Sequence, residues 1–131
     1  MIVYVQSTGE ILDGNGALWG VGYAGKGEGV NNHAKQQERG VGPLPVGLYT
    51  MGVAYDDLKK GPCVIPLTPD PANQMFGRSG FLIHGDNKDH TASRGCIIAG
   101  PVVRRRIAKL EDRQLRVVAV PAGQPTAEKE T

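Results

Sequence analysis

The chain has 131 residues, 40% of them hydrophobic, 21% charged and 5% aromatic, with a net charge of +2. That length carries one domain with a proper core and excludes two, and the balance of apolar and charged residues is that of a globular protein. The small net charge gives nucleic acid little electrostatic reason to bind, no apolar run reaches membrane-spanning length, and 19 glycines with 9 prolines favour turns and short strands over long helices.

The opening MIVYVQSTGE has neither a basic n-region nor a long apolar h-region. Synthesis in the cytoplasm is therefore expected, with any work outside the cell reached by a route without a signal peptide. Ile2 to Val5 and Glu10 to Leu12 are short apolar segments around Thr8-Gly9, which predicts a β-hairpin. From Ala17 to Ala24, large residues (Leu18, Trp19, Val21, Tyr23) are spaced by glycines, the pattern of a strand lying close to another backbone. Residues 25 to 42 form a long polar, glycine-rich loop with Asn31, Asn32 and His33, a length more often functional than incidental.

The prolines of Gly42-Pro43-Leu44-Pro45 lead into a strand through Val46, Leu48 and Tyr49. Cys63 to Leu67 reads as a short strand broken by Pro62 and Pro66, and Pro69 to Ser79 as a loop carrying Asn73, Gln74 and Arg78. Gly100-Pro101 starts a helix with Val103, Ile107 and Leu110 on one face, which leaves Arg104 to Arg106 as a solvated face. Leu115 to Val120 closes the fold as a strand. One domain over 1–120 and a disordered tail over 121–131 follow.

The chemistry concentrates in Phe81 to Ile98. An apolar run, Phe81-Leu82-Ile83, ends at His84-Gly85; a second, Ile97-Ile98, follows Ser93-Arg94-Gly95-Cys96; the loop between is wet and rich in turn formers. Two apolar anchors bring histidine and cysteine together, and imidazole can take the proton of a thiol that then attacks as thiolate. Gly95 permits close backbone approach to Cys96, and the charge of Arg94 favours the thiolate. A base needs its second ring nitrogen oriented by an acceptor; the Gly85 carbonyl, Ser93 and Asp86 are all candidates. Cys63 reads as core, and both cysteines are expected reduced. His33, Asp86, Asp89 and His90 with His84 match no zinc spacing.

His84-Gly85 followed by Ser93-Arg94-Gly95-Cys96-Ile97 resembles the catalytic motif of L,D-transpeptidases, and Pro45-Val46-Gly47-Leu48-Tyr49 resembles the Pro-x-Gly-x-Tyr strand that precedes it. Gly22-Tyr23-Ala24-Gly25 and Val30-Asn31-Asn32 are similar to a narrower group, the type VI secretion L,D-transpeptidase effectors that attack the peptidoglycan of rival bacteria. Arg94 departs from the histidine found two positions before the cysteine in the larger family, and an arginine cannot act as a base.

The resemblance implies a mainly β, compact L,D-transpeptidase-like β-sandwich with one short helix after the cysteine. It implies an antibacterial toxin, hydrolase and transferase in one: Cys96 attacks the stem peptide before its terminal D-alanine, and water or a D-amino acid resolves the thioester. Catalytic roles fall on Cys96, His84, Ser93 and Gly85; substrate or oxyanion contacts fall on Gly95, Arg94, Asp86, Asn32 and Tyr23, with backbone amides near Gly95 and Cys96 as oxyanion donors. No metal or cofactor is implied. The implied partners are peptidoglycan stem peptides, a secretion apparatus and a periplasmic immunity protein, with no nucleic acid and no membrane insertion; the place of action is the target-cell periplasm. The alternatives are a wall-binding module without chemistry and a phage-borne wall-active protein of the same fold.

Overall fold

A computed structural model describes residues 1–123; residues 124–131, and with them most of the expected tail, lie outside the described residues. The fold is mainly β with one short helix. Strands β1 (Ile2–Val5) and β2 (Glu10–Leu12) form the expected antiparallel hairpin, with Val3 opposite Leu12. Strand β3 (Leu18–Val21) adds to β2. Two single turns of 3-10 helix, Gly27–Gly29 and His33–Lys35, fold up the polar loop. Then come β4 (Gly47–Met51), β5 (Tyr55–Asp57), β6 (Gly61–Pro69), β7 (Leu82–His84), β8 (Ile97–Ile98), helix α1 (Pro101–Ala108) and β9 (Gln114–Val118).

The strands form one sheet in the order β3-β2-β1-β9-β4-β6-β7-β8, with β5 beside β6. Pairing is antiparallel except for β1 with β9 and β7 with β8. The sheet curls until its two ends meet. Tyr23, just past β3, pairs with Ile98 of β8 through N–H···O bonds of 3.2 and 2.8 Å. Gly22 makes this closure possible, because a Cβ there would sit 1.7 Å from the Ile98 carbonyl oxygen. The expectation of a glycine-spaced segment hugging another backbone is met at that point.

Inside the curl, Ile2 and Tyr4 of β1, Tyr49 and Met51 of β4, Ile65 and Leu67 of β6, and Leu115 and Val117 of β9 are buried together with Ile83, Ile97 and Ile107. The alternation is that of strands with one face covered: Gln114 and Arg116 point out where Leu115 and Val117 point in. Helix α1 begins with Pro101 in its first turn and packs Ile107 and Val103 on the core, and Leu110, just past its C-terminal end, packs beside them.

The prolines do not break β6, contrary to the sequence expectation. Pro66 lies where the strand passes from pairing with β5 to pairing with β4, opposite the break at Gly52 whose N–H bonds the Pro66 carbonyl. A missing donor costs little at such a changeover. The expected solvated face holds for the exposed Arg105 and Arg106 but not for Arg104. Arg104 is buried and donates to the carbonyls of Cys63, Ala99 and Pro62, and the exposed Arg106 lays its guanidinium 3.8 Å from the centre of the Trp19 ring.

The Pro45-to-Tyr49 segment acquires a physical reading. Gly47 has φ +144°, and a Cβ there would lie 2.3 Å from Asn73 Oδ1, which accepts from the Leu48 N–H while Asn73 Nδ2 donates to the Leu48 carbonyl. The Tyr49 hydroxyl donates back to the Pro45 carbonyl at 2.6 Å. Each residue of the motif thus secures the path from the polar loop into β4.

Candidate active site

Strands β7 and β8 run parallel, with Ile83 opposite Ile97 and His84 opposite Ile98. Alternation sends Ile83 and Ile97 into the core and turns Leu82, His84 and Ile98 to the other face. Cys96 immediately precedes β8, on that same face and level with Leu82, whose N–H donates to Sγ at 3.3 Å. His84 and Cys96 therefore occupy diagonal positions across a parallel pair. Among the described residues no hydrogen bond joins them.

The ring is nonetheless oriented. His84 Nδ1 lies 2.9 Å from the Gly85 carbonyl oxygen, and a carbonyl can only accept, so Nδ1 carries a proton and Nε2 of the neutral ring keeps its lone pair. Of the acceptors left open by the sequence, the Gly85 carbonyl does this work. Ser93 and Asp86 are engaged elsewhere.

Burial sets the protonation states. His84 is 4% exposed, and desolvation holds its pKa below the ordinary value, with Lys60 and Arg104 pushing the same way and the Gly85 carbonyl and Asp86 opposing. Burial also pushes the Cys96 thiol up, against the Leu82 and Cys96 amides, Lys60 and Arg78. The resting pair at neutral pH is thiol and neutral imidazole. This reverses the expectation that Arg94 favours the thiolate: the nearby charges that do so are Lys60 and Arg78, and desolvation outweighs them.

Ser93, fully buried, donates to the Cys96 carbonyl at 2.6 Å and accepts from the N–H groups of Gly25 at 2.8 Å and Gly95 at 3.1 Å. It ties the turn before the cysteine to the start of the polar loop. The Gly95 amide is thereby occupied, and the amides that act on the sulfur are those of Leu82 and of Cys96 itself. Gly95 has φ +133°, and a Cβ would fall 2.6 Å from Arg78 Nη2 and 2.8 Å from the Phe81 ring, so the position admits glycine alone.

Arg78 is the residue that sequence reasoning passes over. Buried against the Phe81 ring, it donates to the carbonyls of Gln36, Gly42, Pro43 and Arg94, joining the polar loop to the turn before Cys96. An arginine in a glycine-rich loop carries no signal of this, since its acceptors are backbone atoms far away along the chain.

The other candidates divide. Tyr23 donates to Asp86 Oδ1 at 2.6 Å and accepts from the Ala92 N–H, while Asp86 Oδ2 lies 2.6 Å from His90 Nδ1; together they pin down the loop that follows Gly85. Asn32 caps the second 3-10 turn and donates to the Glu28 carbonyl within its own loop, and His33 meets Gln6 Oε1 at 2.7 Å. Among the described residues no group of three His, Cys, Asp or Glu side chains is placed to hold a metal ion. Cys63 is half-buried rather than core, with φ +57° where β5 and β6 shift register, and both cysteines are free thiols.

Cys96 opens onto a cavity of about 400 Å³ shared with Phe81, Arg39, Arg78 and Arg94. His84, Gly85 and Asp86 line a separate one of about 260 Å³ with Lys59 and Lys60, which shares no lining residue with the first. A larger depression of about 560 Å³, with Tyr23, Gly85, Asp86, Lys60 and Arg104, holds neither His84 nor Cys96. Among the described residues no helix is long and apolar enough to cross a membrane.

No curated protein and no solved structure matches the chain. The model of one family does, that of the Tlde1 domain, over residues 20–123, a span that holds the end of β3, the polar loop, β4 to β9, His84 and Cys96. The chain therefore belongs to the Tlde1-domain family, the type VI secretion L,D-transpeptidase effectors.

Proposed function

We propose that this chain is a cysteine acyl-transferase that trims or exchanges the terminal residue of peptidoglycan tetrapeptide stems, with Cys96 as nucleophile and His84 as general base. The observation that carries the reading is the shared face of His84 and Cys96 on parallel strands, with the ring's Nδ1 held by the Gly85 carbonyl. Family membership supports the setting: export by a type VI apparatus, action on the wall in the periplasm of a target cell, and a periplasmic immunity protein in the producer.

In this mechanism Nε2 of His84 accepts the thiol proton as Sγ bonds to the carbonyl carbon that joins the third residue to D-alanine. The Leu82 and Cys96 amides, which act on Sγ, stabilise the sulfur as its proton leaves. The C–N bond then breaks, and the imidazolium returns its proton to the departing amine, leaving a thioester. Water, deprotonated by His84, hydrolyses it and restores the thiol, which is L,D-carboxypeptidase action; the amine of a free D-amino acid attacks instead in exchange. Nε2 and Sγ share no hydrogen bond here, and catalytic pairs of this kind tighten as substrate arrives.

Mass spectrometry of purified muropeptides, with and without a free D-amino acid, tests the proposal. The wild-type chain should convert tetrapeptides to tripeptides and to exchanged tetrapeptides; Cys96→Ala and His84→Ala should abolish both, and Cys63→Ala neither. Turnover that persists in Cys96→Ala overturns it. A wall-binding module is the second reading, favoured by a thiol that burial keeps protonated. It predicts muropeptide binding with no change of mass by the wild-type chain.

A further inference from the structure

The cavity beside Cys96 is cationic on every side that carries charge. Arg39, Arg78 and Arg94 line it, and among the described residues no Asp or Glu does. The three guanidinium groups are not equivalent. That of Arg78 is taken up by backbone carbonyls, and Arg39 is tied by one bond of 3.1 Å to the Gly77 carbonyl. The side chain of Arg94 is exposed, and among the described residues no hydrogen bond or ion pair engages it; its backbone is fixed by Arg78, which bonds the Arg94 carbonyl at 3.2 Å. Like charges held together without a counterion repel, as the influence of Arg39 on Arg78 records, and an anion entering the cavity relieves that repulsion.

Arg94 stands two residues before Cys96, so an anion it binds lies next to the group under attack. In an L,D-cleavage the leaving residue carries a carboxylate one carbon beyond its amine. A guanidinium offers that group a planar, two-pronged donor, which histidine cannot.

We propose that Arg94, assisted by Arg39, receives the terminal carboxylate of the stem peptide and makes the site select stems with a free carboxyl end. This deepens the acyl-transfer reading and rests on it for the identity of the ligand. Arg94 is then a specificity-determining residue, and its replacement of a histidine is a change of task from proton handling to anion binding.

Binding by the full chain carrying Cys96→Ala separates the two ideas, because it needs no turnover. The probes are a tetrapeptide stem ending in D-alanine and the same peptide ending in D-alanine amide, followed by isothermal titration. The carboxylate should bind at least about tenfold more tightly than the amide, the worth of a charge-assisted hydrogen bond. Adding Arg94→Gln should bring the two peptides level, and Arg94→Lys should keep part of the preference. Since Arg94 is exposed, the melting curve of Arg94→Gln should match its parent. Equal affinity for the two peptides, or a preference that survives Arg94→Gln, overturns the proposal. Discrimination in binding without any mass change by the wild-type chain leaves the carboxylate receptor standing and removes acyl transfer; turnover without discrimination does the reverse.

Discussion

At Cys96, burial and the neighbouring groups pull in opposite directions, and burial wins. The thiol is held protonated and its histidine neutral, so the pair rests uncharged and the proton moves only as the sulfur attacks. Alkylation of Cys96 by iodoacetamide should therefore be slow at neutral pH, climb as the pH is raised and reach its plateau only above the ordinary thiol value of 9.0. A rate already at its plateau near pH 7 would indicate a thiolate–imidazolium pair instead. The same burial links His84 to stability. Its pKa in the fold lies below 6.5, so the neutral ring contributes stability that is present above 6.5 and lost as the pH falls through the folded value. The melting temperature should decline as the medium is acidified across that window, and His84→Gln should flatten this part of the profile.

The elements that matter most to the site are turns, and one hydroxyl fastens them. Ser93 satisfies two backbone donors, those of Gly25 and Gly95, and gives its own proton to the Cys96 carbonyl. Ser93→Ala would strand these groups in a buried place, at a cost of about 2–4 kcal/mol. Calorimetry should show a melting temperature lower by roughly 10 °C, the shift such a loss produces in a domain of this size. An unchanged melt would mean that water replaces the hydroxyl. Arg78 acts on a wider scale, because its four carbonyl partners belong to two separate loops. Buried main-chain carbonyls need donors, and where a loop forms no ladder a side chain must supply them.

For the whole molecule the decisive event is the meeting of the two sheet ends at Tyr23 and Ile98, since it lays the polar loop, Tyr23 and the Asp86 turn around the strands that carry His84 and Cys96. Gly22→Ala would drive a methyl group into the Ile98 carbonyl and should cost at least about 3 kcal/mol. Circular dichroism melts against the wild-type chain would measure it, and a loss below about 0.5 kcal/mol would refute the closure, since that is the range of surface substitutions away from such features. Much of this architecture is legible along the chain. The β1–β2 hairpin, the helix after Gly100-Pro101 and the two apolar anchors of the candidate site follow from hydrophobic period and turn residues, because those signals act over a few neighbouring positions. Proline spacing misleads at β6, where a change of pairing partner removes the need for a donor, and charge misleads at Arg104, where carbonyls from other elements make burial tolerable. Local pattern alone shows a histidine and a cysteine flanking a wet loop between apolar strands. Only the tertiary structure decided that the Gly85 carbonyl orients the ring, that Arg78 holds the loops and that Arg94 faces an uncompensated cationic cavity, because each depends on groups brought together across the fold by packing, which no local pattern encodes.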